Sequence, residues 1–207
     1  MAHRNFSMID YFDHRMRDWV PELSFRGETA ADWRSWRAEA SAKLAELLGE
    51  FPRAVDSATE TVYSVEDNGL VRERVIFDSE AEMSVPCTVL RPVDMPPDGK
   101  APAILCSHGH GPYGKEPVAG NTTSGGLRAS IGQLNYSYGE QMARRGFLTI
   151  SPDLRVFGER SDGGDPYPGR DKCNVHFIRG MIAGIYTLTL NVWDMKCCID
   201  YLESRPE

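Results

Sequence analysis

Several features that mark other protein classes are missing from this 207-residue chain. No apolar run approaches the roughly 20 residues of a membrane span, and the first residues lack the apolar core of a signal peptide. Acidic residues outnumber basic ones, 30 against 23, so the net charge is −7. This balance argues against general binding to nucleic acid or to anionic membranes. We therefore expect a cytoplasmic chain with no nucleic-acid or membrane partner.

Cysteine is scarce and shows no metal-binding or redox spacing. The five cysteines are odd in number and form no C-x-x-C pair. Reduced and mostly buried thiols are the expected state, which fits a reducing compartment. The residues concerned are Cys87, Cys106, Cys173, Cys197 and Cys198.

Two further absences concern chemistry. The chain contains no G-x-S-x-G, the turn that presents a nucleophilic serine, and its nearest imitation at 135–139 lacks the first glycine. No G-K-[ST] or G-x-G-x-x-G follows a predicted strand, so the glycine-rich loops do not match a phosphate cradle. We expect no cofactor.

What is present begins with a helical extension, predicted over residues 1–55. Ser7 with Asp10, and Thr29 with Asp32, are spaced as helix-capping pairs. Apolar residues follow both pairs at helical spacing, including three tryptophans, Trp19, Trp33 and Trp36. We interpret these helices as bracing a sheet or as a dimer contact.

Residues 59–91 change to a strand pattern. Alternating apolar positions flank the turn signal Asp67-Asn68-Gly69, which predicts two or three antiparallel strands. The runs 103–106 and 147–150 do not alternate and are joined by a predicted helix at 138–146. Such runs suit parallel strands that are covered on both faces. The predicted fold is therefore α/β, with a mixed, mostly parallel sheet, helices on both faces and a domain over residues 56–207.

Two long loops, 111–137 and 157–172, leave the carboxyl ends of these predicted parallel strands. Ligands bind at those ends in open α/β sheets, and long loops in compact domains are usually functional. The pattern predicts a pocket covered by both loops. From Ile185 onward, apolar residues at spacings of three and four predict a final amphipathic helix of about five turns.

Three segments together carry a resemblance to a known family. They are Ser107-His108-Gly109-His110-Gly111, the stretch from Arg144 to Arg160 that contains Ser151-Pro152-Asp153-Leu154-Arg155, and the helical end from Trp193-Asp194 to Arg205-Pro206-Glu207. With these, residues 70–207 resemble the α/β-hydrolase superfamily, in particular its dienelactone-hydrolase-like and acetyl-xylan-esterase-like branch.

The resemblance implies a carboxylic-ester hydrolase with a serine acyl-enzyme mechanism. It implies that the backbone N–H of His110, with Gly111 beside it, forms half of an oxyanion hole for a small-molecule ester. Fixed N–H groups are what a developing oxyanion needs. It also implies that Asp153 and Arg155 brace the backbone near the site without taking part in the chemistry.

The departure from the family pattern is that the nucleophile elbow and the triad Asp and His would follow Glu207. The chain is therefore expected to be the N-terminal half of such an enzyme, and the alternative is a catalytically inactive fragment or an interaction module. The strand at 103–106 would then form an exposed sheet edge, through which a homo-oligomer could form.

Other groups of residues in the chain could carry different chemistry. A metal-dependent hydrolase could use His108 and His110, two residues apart on a strand, although no metal ligand is expected because no third ligand follows. A triad could be assembled from Ser107 or Ser124 with His176 and Asp153, or a thiol nucleophile could be Cys106 or Cys173. A structural role is the preferred interpretation of His108.

Overall fold

The computed structural model describes residues 4–95, 99–161 and 167–207. The chain separates into two compact units, Met1–Leu47 and Leu48–Glu207. No helix in the described ranges is long and apolar enough to cross a membrane. The domain division predicted at residue 55 stays a prediction.

The first unit contains helix α1, Met8–Met16, and most of helix α2, Ala30–Leu48. Both predicted caps form: Ser7 Oγ accepts from Asp10 N at 3.2 Å, and Asp32 N donates to Thr29 Oγ1 at 3.1 Å. The Asp32 carboxylate returns the bond by accepting from Thr29 N at 2.9 Å, which completes a capping box. Neither helix has a buried residue, so their apolar stripes contribute no core of their own.

The second unit is built on a five-stranded sheet with the order β1-β2-β3-β5-β4. Its strands are β1 Glu60–Asp67, β2 Leu70–Glu80, β3 Met83–Pro92, β4 Ala103–Leu105 and β5 Leu148–Pro152. The mixed sheet and the α/β class are confirmed. The expectation of a mostly parallel sheet is wrong, because β1–β2, β2–β3 and β3–β5 pair antiparallel and only β4–β5 pair parallel.

The antiparallel majority has a simple cause in the connections. Residues 60–92 run through two short connections, and tight turns allow only antiparallel neighbours. In the described part of the chain, the segment from β4 to β5 is the one connection between consecutive strands that contains helices. A single crossover of this kind yields a single parallel pair.

Helices cover both faces of the sheet, as predicted. Helix α6, Thr187–Ser204, packs on one face through Cys198 and Leu202, and helix α4, Tyr138–Ala143, packs on the other through Ala143. Strand alternation separates the two cores, since Val89 faces α6 whereas Leu90 belongs to the smaller cluster on the α4 side. The α6 core comprises Val75, Phe77, Val85, Cys87, Val89, Leu148, Ile150, Cys198 and Leu202.

Two helices that the sequence did not predict lie within or directly after the predicted loops. Helix α3, Gly125–Leu134, lies inside the loop predicted at 111–137, and α5, Lys172–Ala183, follows the loop predicted at 157–172. The sequence hides α3 because it opens on two glycines, which are poor helix formers; its start is set by Ser124 Oγ, which accepts from Leu127 N at 3.2 Å. Helix α5 carried readable signals, an Asp171 cap and a left-handed Gly184 at its end.

Strand β4 forms one edge of the sheet, where the sequence predicted an exposed edge. The neighbouring helix α6 exposes part of its apolar surface: Leu188 is 62% exposed and Ile199 is 45% exposed. Edge strands and exposed apolar side chains are both features that other polypeptide tends to cover.

Candidate active site

The carboxyl ends of β4 and β5 open into a cavity of about 360 Å³. Both predicted pocket loops contribute to it, since Gly111 and Pro112 lie on one wall and Phe157 and Lys172 on another. The full lining is His110, Gly111, Pro112, Val156, Phe157, Gly158, Ser161, Asp171, Lys172 and Cys173. The fold thus places the predicted oxyanion segment at a concave site, as ligand binding in α/β sheets requires.

His108 connects the two loops beneath this cavity. Its Nε2 accepts from Leu154 N at 3.0 Å, so its Nδ1 carries the proton and donates to the Gly109 carbonyl at 2.7 Å. The ring is 4% exposed and packs edge-on against Phe157, with centroids 5.3 Å apart. Both nitrogens bond to backbone, which is the structural role preferred from the sequence.

We expect this buried histidine to make stability depend on pH. Burial lowers the pKa of His108 below its usual value, and the bond to Gly109 offsets this only in part. The unfolded chain binds a proton below about pH 6.5 that the folded chain excludes. Stability should therefore fall as the pH drops below about 6.5, by at most about 1.4 kcal/mol per pH unit from this residue.

Urea unfolding at pH 7.5 and 5.5 would measure the effect. The variant His108→Gln removes the titrating ring and should lose less stability between the two pH values than the parent chain does. Equal losses in both chains would contradict the prediction.

His110, unlike the buried His108, has an exposed side chain. Its side chain is 63% exposed, and its Nε2 lies 3.2 Å from Asp171 Oδ2. In the described ranges, no hydrogen bond to other protein atoms uses the backbone N–H of His110 or of Gly111. These two adjacent donors belong to residues that line the cavity and have no protein partner in the described part of the chain.

Two tyrosines that sequence reasoning missed hold the turn before His110. Tyr136 Oη accepts from Gly109 N, and Tyr138 Oη donates to the Ser107 carbonyl. Burial raises the pKa of Tyr138 to about 12, so the hydroxyl stays a donor at neutral pH. Nothing in a single sequence marks these contacts, because they join residues 27 and 31 positions apart.

Asp153 anchors the opposite loop through a buried ion pair. It is 1% exposed and accepts from Lys115 N at 2.8 Å and from Lys115 Nζ at 2.7 Å. Glu159 N donates to the same carboxylate at 3.0 Å, and Lys115 Nζ also reaches Glu159 Oε1 at 2.5 Å. Burial works against the charge on Lys115, but Asp153 and Glu159 outweigh it and raise the pKa of the lysine.

Glycine is required on both sides of this carboxylate. A Cβ at Gly114 or at Gly158 would lie 2.1 Å from Asp153 Oδ1, and both residues have positive φ, +52° and +54°. Larger residues would be strained in that backbone region and would also displace the carboxylate. The glycines thus let two loops close on one buried charge.

Arg155 links the loop after β5 to helix α6 through a second buried ion pair. Its guanidinium donates two bonds of 2.9 Å to the Asp194 carboxylate and lies 2.6 Å from Glu80 Oε1. Arg160 donates to Asp194 Oδ2 at 2.7 Å and to the Asp153 carbonyl at 3.0 Å. Asp153 and Arg155 therefore brace backbone and helix, as expected from the sequence.

Comparison with known proteins decides the fold. No family model matches the sequence, and no curated protein resembles it closely enough to match. A candidate acetyl xylan esterase from Bacteroides fragilis superimposes with a TM-score of 0.78 and 19% identity, over 98% of this chain and 51% of that one. Acetyl xylan esterase 1 from Thermoanaerobacterium sp. gives 0.51 and 18%, over 80% and 51%. The fold is that of half an α/β-hydrolase.

The chain thus spans about half the length of each of these esterases. The local geometry does not favour the nucleophiles considered as alternatives from the sequence. Ser124 Oγ is occupied as the cap of α3, and the Asp153 carboxylate is taken by Lys115 and backbone N–H groups. Cys106 is 1% exposed, and burial raises the pKa of its thiol to about 11. Burial and the charge of Asp171 raise the pKa of Cys173 as well.

The proposed metal pair His108 and His110 is not supported by the geometry either. His108 has no free ring nitrogen, because both are bonded to backbone atoms. His110 instead lies near Asp171 and Cys173, whose ligand atoms are within 4.8 Å of one another and of the His110 ring nitrogen. Sequence reasoning did not group these three residues, since α5 was not predicted.

Proposed function

We propose that this chain is part of a carboxylic-ester hydrolase and contributes the oxyanion side of its active site. The observation that carries the proposal is the open pair of backbone N–H groups at His110 and Gly111, at the end of β4 in a hydrolase-type fold. The nucleophilic serine and the triad Asp and His would come from polypeptide outside these 207 residues. The 207 residues contain no G-x-S-x-G that could supply the serine.

In the proposed mechanism a serine attacks the ester carbonyl, and the carbonyl oxygen becomes an oxyanion. The His110 N–H would donate to that oxygen, with Gly111 allowing close approach of the backbone. Collapse of the tetrahedral intermediate releases the alcohol and leaves an acyl-enzyme, which water then hydrolyses. The rigid supports in this chain are His108, the two tyrosines and the Asp153 ion pair, which keep the donors in place.

The ester is proposed to have a small acyl group. The cavity of about 360 Å³ lies at the small end of the usual range for ligand sites. Its walls mix apolar Pro112, Val156 and Phe157 with polar Ser161. The acetyl xylan esterases that share the fold bear names consistent with a short acyl chain.

An assay with p-nitrophenyl acetate would test the proposal. It would compare the 207-residue chain with a version extended at its carboxyl end by the sequence that follows in its gene. We expect hydrolysis only in the extended chain, where His110→Pro, which removes the N–H, should lower kcat by about 10²-fold or more.

The matched control is His110→Ala in the extended chain. Alanine keeps the backbone N–H and removes the ring, so kcat should stay close to that of the parent. Turnover by the short chain alone would contradict the proposal, as would an equal loss in the two variants. An extended chain without activity would favour the inactive fragment or interaction module.

We also propose that a second copy of the chain covers the β4 edge when no other polypeptide does. The position of β4 at the edge of the sheet and the exposed apolar residues Leu188 and Ile199 on α6 support this association. Light scattering after gel filtration should show dimers or larger species. A monodisperse monomer would contradict it. Cytoplasmic location stays a prediction from the sequence.

A further inference from the structure

We propose that His110, Asp171 and Cys173 form a binding site for zinc at the mouth of the cavity. Their ligand atoms, one ring nitrogen, one carboxylate oxygen and one sulfur, lie within 4.8 Å of one another. In a tetrahedral zinc site the ligand atoms lie about 3.3–3.8 Å apart, given bond lengths of about 2.0–2.3 Å. Small side-chain movements would bring all three onto one ion.

Two of the three donors are already held in position. Asp171 caps α5, since its Oδ1 accepts from Asn174 N at 2.9 Å, and its other oxygen lies 3.2 Å from His110 Nε2. The His110 ring packs edge-on against Phe157, with centroids 5.1 Å apart. Bonds that orient a ligand in this way are typical of the surroundings of metal sites.

The third donor, the sulfur of Cys173, is positioned by the first turn of α5. Cys173 lies in the first turn of α5, two residues after the capping aspartate, and is only partly buried. All three side chains line the same cavity. The nearby Lys172 lines it too, but its ammonium donates to Ser161 Oγ at 3.0 Å.

The donor set selects the class of metal. Sulfur and imidazole nitrogen disfavour magnesium and calcium, which prefer oxygen ligands, whereas zinc and its spectroscopic substitute cobalt(II) accept all three donors. Three protein ligands leave a position open to water or to a small anion in the cavity. The ion would thus occupy the space proposed for the ester, although its binding does not depend on that function.

Metal titration of the untagged, reduced 207-residue chain would test the site. Cobalt(II) should produce the intense visible bands of tetrahedral coordination and a sulfur-to-metal charge-transfer band in the near ultraviolet. Zinc affinity would be measured by competition with a chromophoric chelator. Mutation of a residue that only hydrogen-bonds to a metal ligand typically weakens metal binding about 10-fold or more. Loss of one of the ligands themselves should weaken zinc binding at least as much.

The variants distinguish the loss of a metal ligand from the loss of a structural contact. Asp171→Asn keeps a good helix cap but loses the anionic ligand, His110→Ala loses the ring, and Cys173→Ser should abolish the charge-transfer band. Cys197→Ser, a partly buried thiol on α6, is the control and should bind as the parent does. Unchanged zinc affinity in Cys173→Ser or His110→Ala would overturn the proposal, and so would an equal loss in Cys197→Ser.

Discussion

Replacing Lys115 with methionine is expected to lower the free energy of unfolding by about 3–5 kcal/mol. Lys115 is 1% exposed, and its ammonium lies 2.7 Å from Asp153 Oδ2 and 2.5 Å from Glu159 Oε1. Methionine fills much the same volume but leaves the Asp153 carboxylate buried without its cation. A buried charge that has lost its partner costs more than the pair contributed, because its desolvation is no longer offset.

Urea unfolding at pH 7 would measure this loss. Lys196→Met is the control, since Lys196 is exposed and forms its ion pair with Asp200 one turn away; it should leave stability close to that of the parent. The double variant Lys115→Met/Asp153→Leu should recover part of the loss, because it removes both charges together. A single variant as stable as the parent would show that the pair is dispensable.

The second large effect is expected from Asp194→Asn, again about 3–5 kcal/mol. Asp194 is 1% exposed and is the shared acceptor of Arg155 and Arg160. The neutral amide offers one acceptor oxygen and turns an N–H₂ toward guanidinium groups that can only donate. Arg155 would keep its contact of 2.6 Å with Glu80 Oε1, but both guanidinium groups would lose the negative charge of Asp194.

Asp200→Asn on the same helix is the matched control for Asp194→Asn. Asp200 is exposed and pairs with the equally exposed Lys196, so the substitution should change stability little. Thermal or urea unfolding of both variants would show the contrast. Similar losses in the two would contradict a special role for the buried carboxylate.

The same residue predicts how the chain responds to acid. Burial alone would raise the pKa of Asp194, but the bonds and charges of Arg155 and Arg160 outweigh it and hold the pKa below the usual value. A lowered pKa contributes stability that is present above the unfolded value of about 3.9 and lost as the pH falls through the folded value. Asp194→Asn should therefore flatten the stability curve below about pH 3.9.

The local features of this chain could be predicted because they depend on neighbours in sequence. The Ser7 and Thr29 caps join residues three positions apart, and the antiparallel strands follow from alternation and one turn signal. The α5 helix was missed although its cap and stop were readable, whereas α3 begins with glycines that conceal it.

The candidate site could be located from the sequence but not assembled from it. The rule that ligands bind at the carboxyl ends of parallel strands placed both loops correctly, and His110 and Gly111 do line the cavity. The partners of His110 could not be foreseen, because Asp171 and Cys173 reach it only when α5 packs beneath the loop after β4. Both ring nitrogens of His108 bond to backbone atoms, which agrees with the structural role expected for it.

By itself, the sequence determined the α/β class and the caps, since these follow from periodicity and from short-range hydrogen bonds. The edge strand was implied by the family resemblance, and the position of the cavity by the rule that ligands bind at the carboxyl ends of parallel strands. Only the tertiary structure decided the antiparallel majority of the sheet, the burial of Lys115 against Asp153 and the convergence of His110, Asp171 and Cys173. The physical reason is that a buried charge such as that of Lys115 is stable only beside its partner. The partner, Asp153, is 38 residues away in the sequence. The two loops can approach the Asp153 carboxylate because Gly114 and Gly158 adopt a backbone conformation that other residues rarely adopt.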